Sequence, residues 1–264
     1  MVEQRVEATT LGGFVQQVAV CYIGRGYFFY VTGLIPRRKD PKDVDRKFIE
    51  RYGLRLSKWA RARRRRAGTA SIQYIRFGRF FALLATEGKH RFFEDEAANL
   101  RDARRVSLKV GGYSISHRGG RPHVRIRQEE YLNLKAYLLE LAPRHSAAQM
   151  ADEFSKIAFE PYAPVRQQLF TILRAVNRAR KAAGLEPVPW TCIRLKRRIY
   201  RPFEKKEDAK TGKPTVLVPG GFIFPESLDP EIRRSLSGRD DRSRRWRLGG
   251  RSEGGGARAG MRPL

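Results

Sequence analysis

Carboxylates are in short supply in this chain. Its 264 residues carry 27 Asp and Glu against 55 Lys and Arg, a formal net charge of +28, with a pI near 11.0. Cysteine is scarcer still. Cys21 and Cys192 stand far apart, which excludes a disulfide framework and a zinc site of ordinary ligand spacing, and points to a reducing, cytoplasmic compartment. The histidines are His90, His117, His123 and His145, too dispersed for a metal-binding pair on one strand, and no cofactor or metal is expected. No apolar run approaches the ~20 residues of a membrane span. No charged-then-apolar leader opens the chain, and no long amphipathic Lys/Trp helix argues for a lipid surface. Neither a phosphate-cradling glycine loop nor a nucleophile elbow occurs.

What is present is a core and a field. Hydrophobic residues make up 41% and aromatic residues 11%, enough to bury a real interior. An unbalanced positive charge repels itself in any compact state, so its usual counterpart is a polyanion. Nucleic acid fits best as the expected partner, because each neutralised phosphate releases counterions. The basic excess is mostly arginine, whose planar guanidinium grips phosphate through two hydrogen bonds and stacks on bases. Nothing in the composition separates DNA from RNA. By analogy alone, this make-up also suggests a protein serving a mobile or plasmid element.

The pattern along the chain predicts an α+β fold: a mostly antiparallel β-sheet unit with packed helices at residues 13–127, a helical region at 128–204 with a possible final strand, and a disordered basic tail at 205–264, all after a flexible lead-in at 1–12. Within the first unit, Phe14 to Ile23 and Tyr27 to Thr32 read as a hairpin around Gly24-Arg25-Gly26. Asp40 and Pro41 cap and open a helix carrying Val44, Phe48 and Tyr52. Ser57 caps a second helix, which runs into an arginine cluster. Ser71–Arg76 and Phe80–Thr86 form a second hairpin, Glu94–Arg105 a short helix, and Ser107–Ser116 with Pro122–Arg127 a third hairpin, with Gly111-Gly112 read as a bulge. The helical region has an apolar stripe in Gln128–Ala142, a cap at Ser146, and a long helix opened by Pro164 and ended by Gly184. Thr191–Tyr200 alternates apolar and basic residues as a strand would.

Three basic clusters are the candidate nucleic-acid contacts. Arg61 and Arg63, Arg64, Arg65 and Arg66 lie at a helix end, where four consecutive cations point in nearly all directions and cannot all be buried. Arg174, Arg178 and Lys181 follow helical spacing opposite the apolar face of the long helix. Arg194, Lys196, Arg197, Arg198 and Arg201 form the third, with Arg194, Arg197 and Arg198 as its candidate contacts.

The segment Arg25-Gly26-Tyr27-Phe28-Phe29-Tyr30-Val31 partly resembles the RNP1 strand of RNA-recognition modules, with Phe28 and Tyr30 departing from its pattern. The resemblance implies that Tyr27 and Phe29 share a sheet face and stack bases. An alternative function is a metal-dependent DNA strand-nicking enzyme. Tyr131-Leu132-Asn133-Leu134-Lys135 resembles the tyrosine helix of rolling-circle initiators and single-tyrosine transposases, which would make Tyr131 the nucleophile. The strand Phe80–Leu84, however, has no His pair, and only His117 and His123, across one hairpin turn, offer ligands, with Glu129 or Glu130 as a third. A second alternative is a basic structural assembly protein.

Overall fold

One near-continuously apolar set of strands and one alternating set build two antiparallel sheets in the computed structural model, which describes residues 6–204. The first sheet comprises β1 (Phe29–Leu34), β2 (Ile72–Phe77), β3 (Phe80–Ala85) and β4 (Arg101–Asp102) in the order β2-β3-β1-β4. Val6 and Ala8 flank an additional bridge from Glu7 to Arg76 on the β2 edge. The second sheet comprises β5 (Leu108–Val110), β6 (Tyr113–Arg118) and β7 (Arg121–Ile126) in that order. Its two connections are two-residue turns with positive φ at both glycines, 49° and 79° at Gly111-Gly112 and 55° and 72° at Gly119-Gly120. Such turns match the right-handed twist of a hairpin, so Gly111-Gly112 is a turn rather than the expected bulge.

The helices are α1 (Leu11–Gln16), α2 (Pro41–Arg51), α3 (Lys58–Arg66), α4 (Phe92–Asp95), α5 (Gln128–Leu141), α6 (Ala147–Ser155) and α7 (Ala163–Ala182). Asp40, Ser57 and Ser146 accept hydrogen bonds from the first-turn amides of α2, α3 and α6, as their side chains predict. The fold is α+β, as expected.

Four local expectations are corrected. Phe14–Ile23 is not a strand. The chain continues from α1 through a π-helical stretch, Gln17–Tyr22, and a 3₁₀ turn, Ile23–Arg25. Its buried residues, Phe14, Val15, Val18, Ala19, Tyr22 and Ile23, recur at helical spacing, and that period outweighs the β preference of Val and Tyr. Glu94–Arg105 is helical only in α4, because Arg101 and Asp102 pair with Tyr30 and Phe29. Thr191–Tyr200 holds a 3₁₀ turn, Trp190–Cys192, and no strand. Residues 6–12 are tied down rather than loose, with Ala8 hydrogen-bonded to Arg76 and Thr9 to Pro202. The expected tail lies outside the described residues.

The first sheet is buried on both faces. Tyr30, Ile75, Ala82 and Leu84 join the larger core, which also takes residues from α1, the second sheet and α5 to α7. Val31, Ile72, Tyr74, Phe81 and Leu83 join a smaller core under Val44, Phe48 and Ile49 of α2 and Tyr52, which follows it. A charged pair sits in this second layer. Arg76 is 3% exposed and meets Asp45 through Nε at 2.9 and 3.1 Å and Nη2 at 3.0 Å. Its Nη1 donates to Glu7 at 3.0 Å and to the Gly78 carbonyl at 2.6 Å, and the Tyr74 hydroxyl donates to Asp45. All three guanidinium nitrogens are engaged, which is what makes a buried guanidinium tolerable.

A second buried carboxylate closes the chain on itself. Glu160 is 4% exposed and accepts from Arg194 Nη2 at 3.0 Å, the Arg198 amide at 3.0 Å and the Tyr200 hydroxyl at 2.6 Å. Gln16 holds both backbone groups of Tyr200. Tyr200 lies so close to α1 that a Cβ on Gly12 would fall 2.5 Å from its ring. Side chains thus supply the contacts that a ladder would give the segment 193–204.

Asp45→Ala, which leaves Arg76 buried without its main partner, is expected to cost about 3–5 kcal/mol in urea unfolding. Asp43→Ala on the same helix breaks an exposed pair with Arg46 and is expected to cost no more than about 1 kcal/mol. Equal losses would contradict the assigned role of Asp45. Glu160→Ala is expected to speed tryptic cleavage after Lys196, Arg197 and Arg198, and an unchanged cleavage rate would show that Glu160 does not clamp this segment.

Candidate nucleic-acid interface

The four arginines of the run belong to the last turn of α3, where a cation also favours the helix dipole. Arg63, Arg64, Arg65 and Arg66 are exposed, and none has an ion-pair partner among the described residues. Their field reaches His90, whose pKa falls below its ordinary value through burial first and then through Arg64 and Arg91. Arg61 differs from its neighbours: it is half-buried, and its Nη1 donates to the Leu56 carbonyl at 2.6 Å, bracing the start of the helix.

Arg174, Arg178 and Lys181 do line up on the outer face of α7. They edge a shallow groove of about 580 Å³, completed by Asn177, Leu185 and Pro187. Asn177 creates the far wall by bonding both backbone groups of Val188, which folds 185–188 back along the helix. Arg180, one position away, serves the fold instead. It is 1% exposed and donates to the carbonyls of Ala142, His145 and Glu186, satisfying the end of α5.

The third cluster is divided. Arg194 is engaged by Glu160. Arg197 lies over the Tyr162 ring, 4.8 Å from its centroid. Arg198 has an exposed side chain with no acid partner among the described residues, while its amide serves the Glu160 clamp.

The aromatic pair does not form a platform. Tyr27 precedes β1, is buried, and shares a hydrogen bond with Ser71 Oγ at 3.1 Å. Phe29 packs edge-on to Phe93 at 5.3 Å and is covered by Arg104 at 5.4 Å. Core packing claims Tyr27 because the chain is still turning where the strand was expected to begin.

Tyr131 lies half-buried on α5 against the larger core, and its hydroxyl has no hydrogen-bond partner among the described residues. His117 and His123 do not face each other. His117 pairs with Pro122 and packs at a tilt against Phe28, 4.6 Å between ring centroids, while His123 pairs with Ser116 on the opposite face of the sheet. Strand side chains alternate, so an odd offset separates them. No group of three His, Cys, Asp or Glu able to hold a metal ion is present among the described residues.

The structure adds a surface that no sequence cluster marks. In the second sheet Leu108, Val110, Tyr113, Ile115, Val124 and Ile126 face the core. The register therefore puts Lys109, Ser114 and Arg125 in one row on the other face, the buried Ser116 and half-buried His123 in the next, and the exposed Arg118 opposite the exposed Arg121 at the hairpin tip. Like charges directly across a strand pair repel, and no acid relieves them: residues 103–128 contain no Asp or Glu. His123 registers the result. Burial depresses its pKa most, followed by Arg125 and Arg118. The signal in the sequence was this acid-free stretch combined with alternation, hidden because its cations are spread out rather than consecutive.

No protein-family model, curated protein or solved structure matches this chain. Among the described residues no helix is long and apolar enough to cross a membrane.

Arg125→Ala is expected to raise the NMR titration midpoint of His123. A depressed histidine pKa also means that its contribution to stability falls as pH drops through the unfolded value of 6.5 toward the folded one. A midpoint unmoved by the substitution would show that this face carries no significant field.

Proposed function

We propose that the protein binds nucleic acid, DNA or RNA, through the arginine run of α3, the cationic face of α7 and the outer face of the β5-β6-β7 sheet. The observation that carries this reading is the division of the charges. Asp45 and Glu160 are committed to inward contacts with Arg76 and with Arg194 and Tyr200. The cations of these three surfaces have no acid partner among the described residues. Regular elements carry them: a capped helix, a long helix packed on the core, and a sheet with tight turns. A spread of fixed, unpaired guanidinium groups matches a phosphate backbone, where affinity comes from counterion release and register from the spacing of donors. A cytoplasmic location belongs to the same reading, supported by the unpaired state of Cys21 and Cys192.

Fluorescence anisotropy of the whole chain against duplex DNA, single-stranded DNA and an RNA hairpin, each across a salt series, tests this. Binding to at least one form is expected, with a steep fall in log K with log salt. Replacing Arg63, Arg64, Arg65 and Arg66 by Ala is expected to reduce that slope by about 0.7–0.9 for each phosphate no longer neutralised. The charge-neutral control Asp43→Ala with Arg46→Ala is expected to leave it unchanged. Absence of binding, or a slope untouched by the quadruple substitution and by neutralising the other two surfaces, would overturn the proposal.

A further inference from the structure

Beside the arginine run stands a side chain with no evident structural use. Trp59 is 79% exposed, although it is the largest apolar side chain type and follows the N-cap of α3 by only two positions. Arg63 and Arg66 lie four and seven residues further on, which puts all three on one stripe of the helix. We propose that Trp59 is a base-stacking residue: an unpaired base of a nucleic-acid strand lies on the indole while Arg63 and Arg66 hold the adjoining phosphates. This deepens the nucleic-acid reading and rests on it.

The occupant follows from charge and shape. A protein partner would cover an exposed tryptophan with apolar surface, yet the last turn of α3 is Arg63 to Arg66 with no compensating acid among the described residues. A lipid surface calls for an apolar helix face, and α3 offers only Trp59 among two alanines, a lysine and arginines. A base presents a flat π-face to the indole, and its strand presents phosphates at the reach of arginine side chains. In a duplex the bases already stack on one another, so the ligand is a single strand, a loop or an end.

The test uses the full chain with Trp190→Phe and Trp246→Phe, which leaves Trp59 as the last of the 3 tryptophans. The indole fluorescence is followed while a mixed-sequence single strand, its duplex and phosphatidylserine vesicles are added separately. Quenching by the single strand and much less by the duplex is expected. Trp59→Ala in the otherwise native chain is expected to weaken single-strand binding roughly 5- to 150-fold, the range for removal of one stack. Duplex binding is expected to change less than about twofold, and Trp59→Phe to keep most of the affinity, because a phenyl ring still stacks. Trp59→Ala that binds single strands as tightly as the native chain would overturn this assignment and leave the wider reading standing. A response to vesicles but not to single strands would replace the assignment by membrane contact. No binding of any nucleic acid would overturn both.

Discussion

A chain with twice as many cations as carboxylates has to place its carboxylates where they matter most, and the fold depends on that placement. Asp45 neutralises Arg76 between the first sheet and α2, in a layer where an unpaired guanidinium would cost several kcal/mol. Glu160 draws Arg194, the Arg198 amide and Tyr200 together, and so fastens the segment 193–204 across α1. Where no acid is at hand, backbone carbonyls take over: Arg180 donates to Ala142 and His145 just past α5 and to Glu186 past its own helix, and Arg79 donates to the carbonyls of Ile35, Pro36, Arg37 and Lys39. Interior arginines are thus satisfied with little use of negative charge.

The surface is the remainder of that arrangement. On α7 and the second sheet the free cations are carried by elements whose other sides are buried, which fixes where that charge sits. α7 turns Val165, Leu169, Ile172 and Val176 inward and Arg174, Arg178 and Lys181 outward. The second sheet does the same with period two, and Gln168 of α7 occupies both backbone groups of Ile126 on its β7 edge. That pairing blunts an edge strand open to another chain. The π-helical stretch after α1 lies under the same sheet and keeps Val18, Ala19 and Tyr22 in the core. Charge on α7 and on the second sheet is therefore held in place by the packing behind it.

Much of this was legible in the sequence wherever one signal acted alone. Asp40-Pro41, Ser57 and Ser146 announced helix starts because a side-chain oxygen bonding a first-turn amide is a local event. The hairpin of β2 and β3, the helices of the second half and the exposed stripe on α7 followed from periodicity. The failures came where two signals competed. Phe14 to Ile23 has the residues of a strand and the spacing of a helix, and spacing governs burial. Thr191 to Tyr200 alternates like a strand, but Glu160, Gln16 and Arg166 had already claimed its backbone through side chains far away in sequence. The same long-range contacts removed Arg194 from the candidate surface, and tertiary packing removed Tyr27. The outer face of the second sheet emerged only with its register, because cations on alternate residues of three strands form no cluster in sequence.

Arginine footprinting with phenylglyoxal, read by mass spectrometry with and without bound nucleic acid, tests the central claim most directly. Arg63 to Arg66, Arg118, Arg121, Arg125, Arg174 and Arg178 are predicted to react readily in the free protein and to become protected on binding. Arg76 and Arg180 should stay unreactive in both states. Protection confined to residues outside those surfaces, or none at all, would show that the unpaired charge is not what meets the partner.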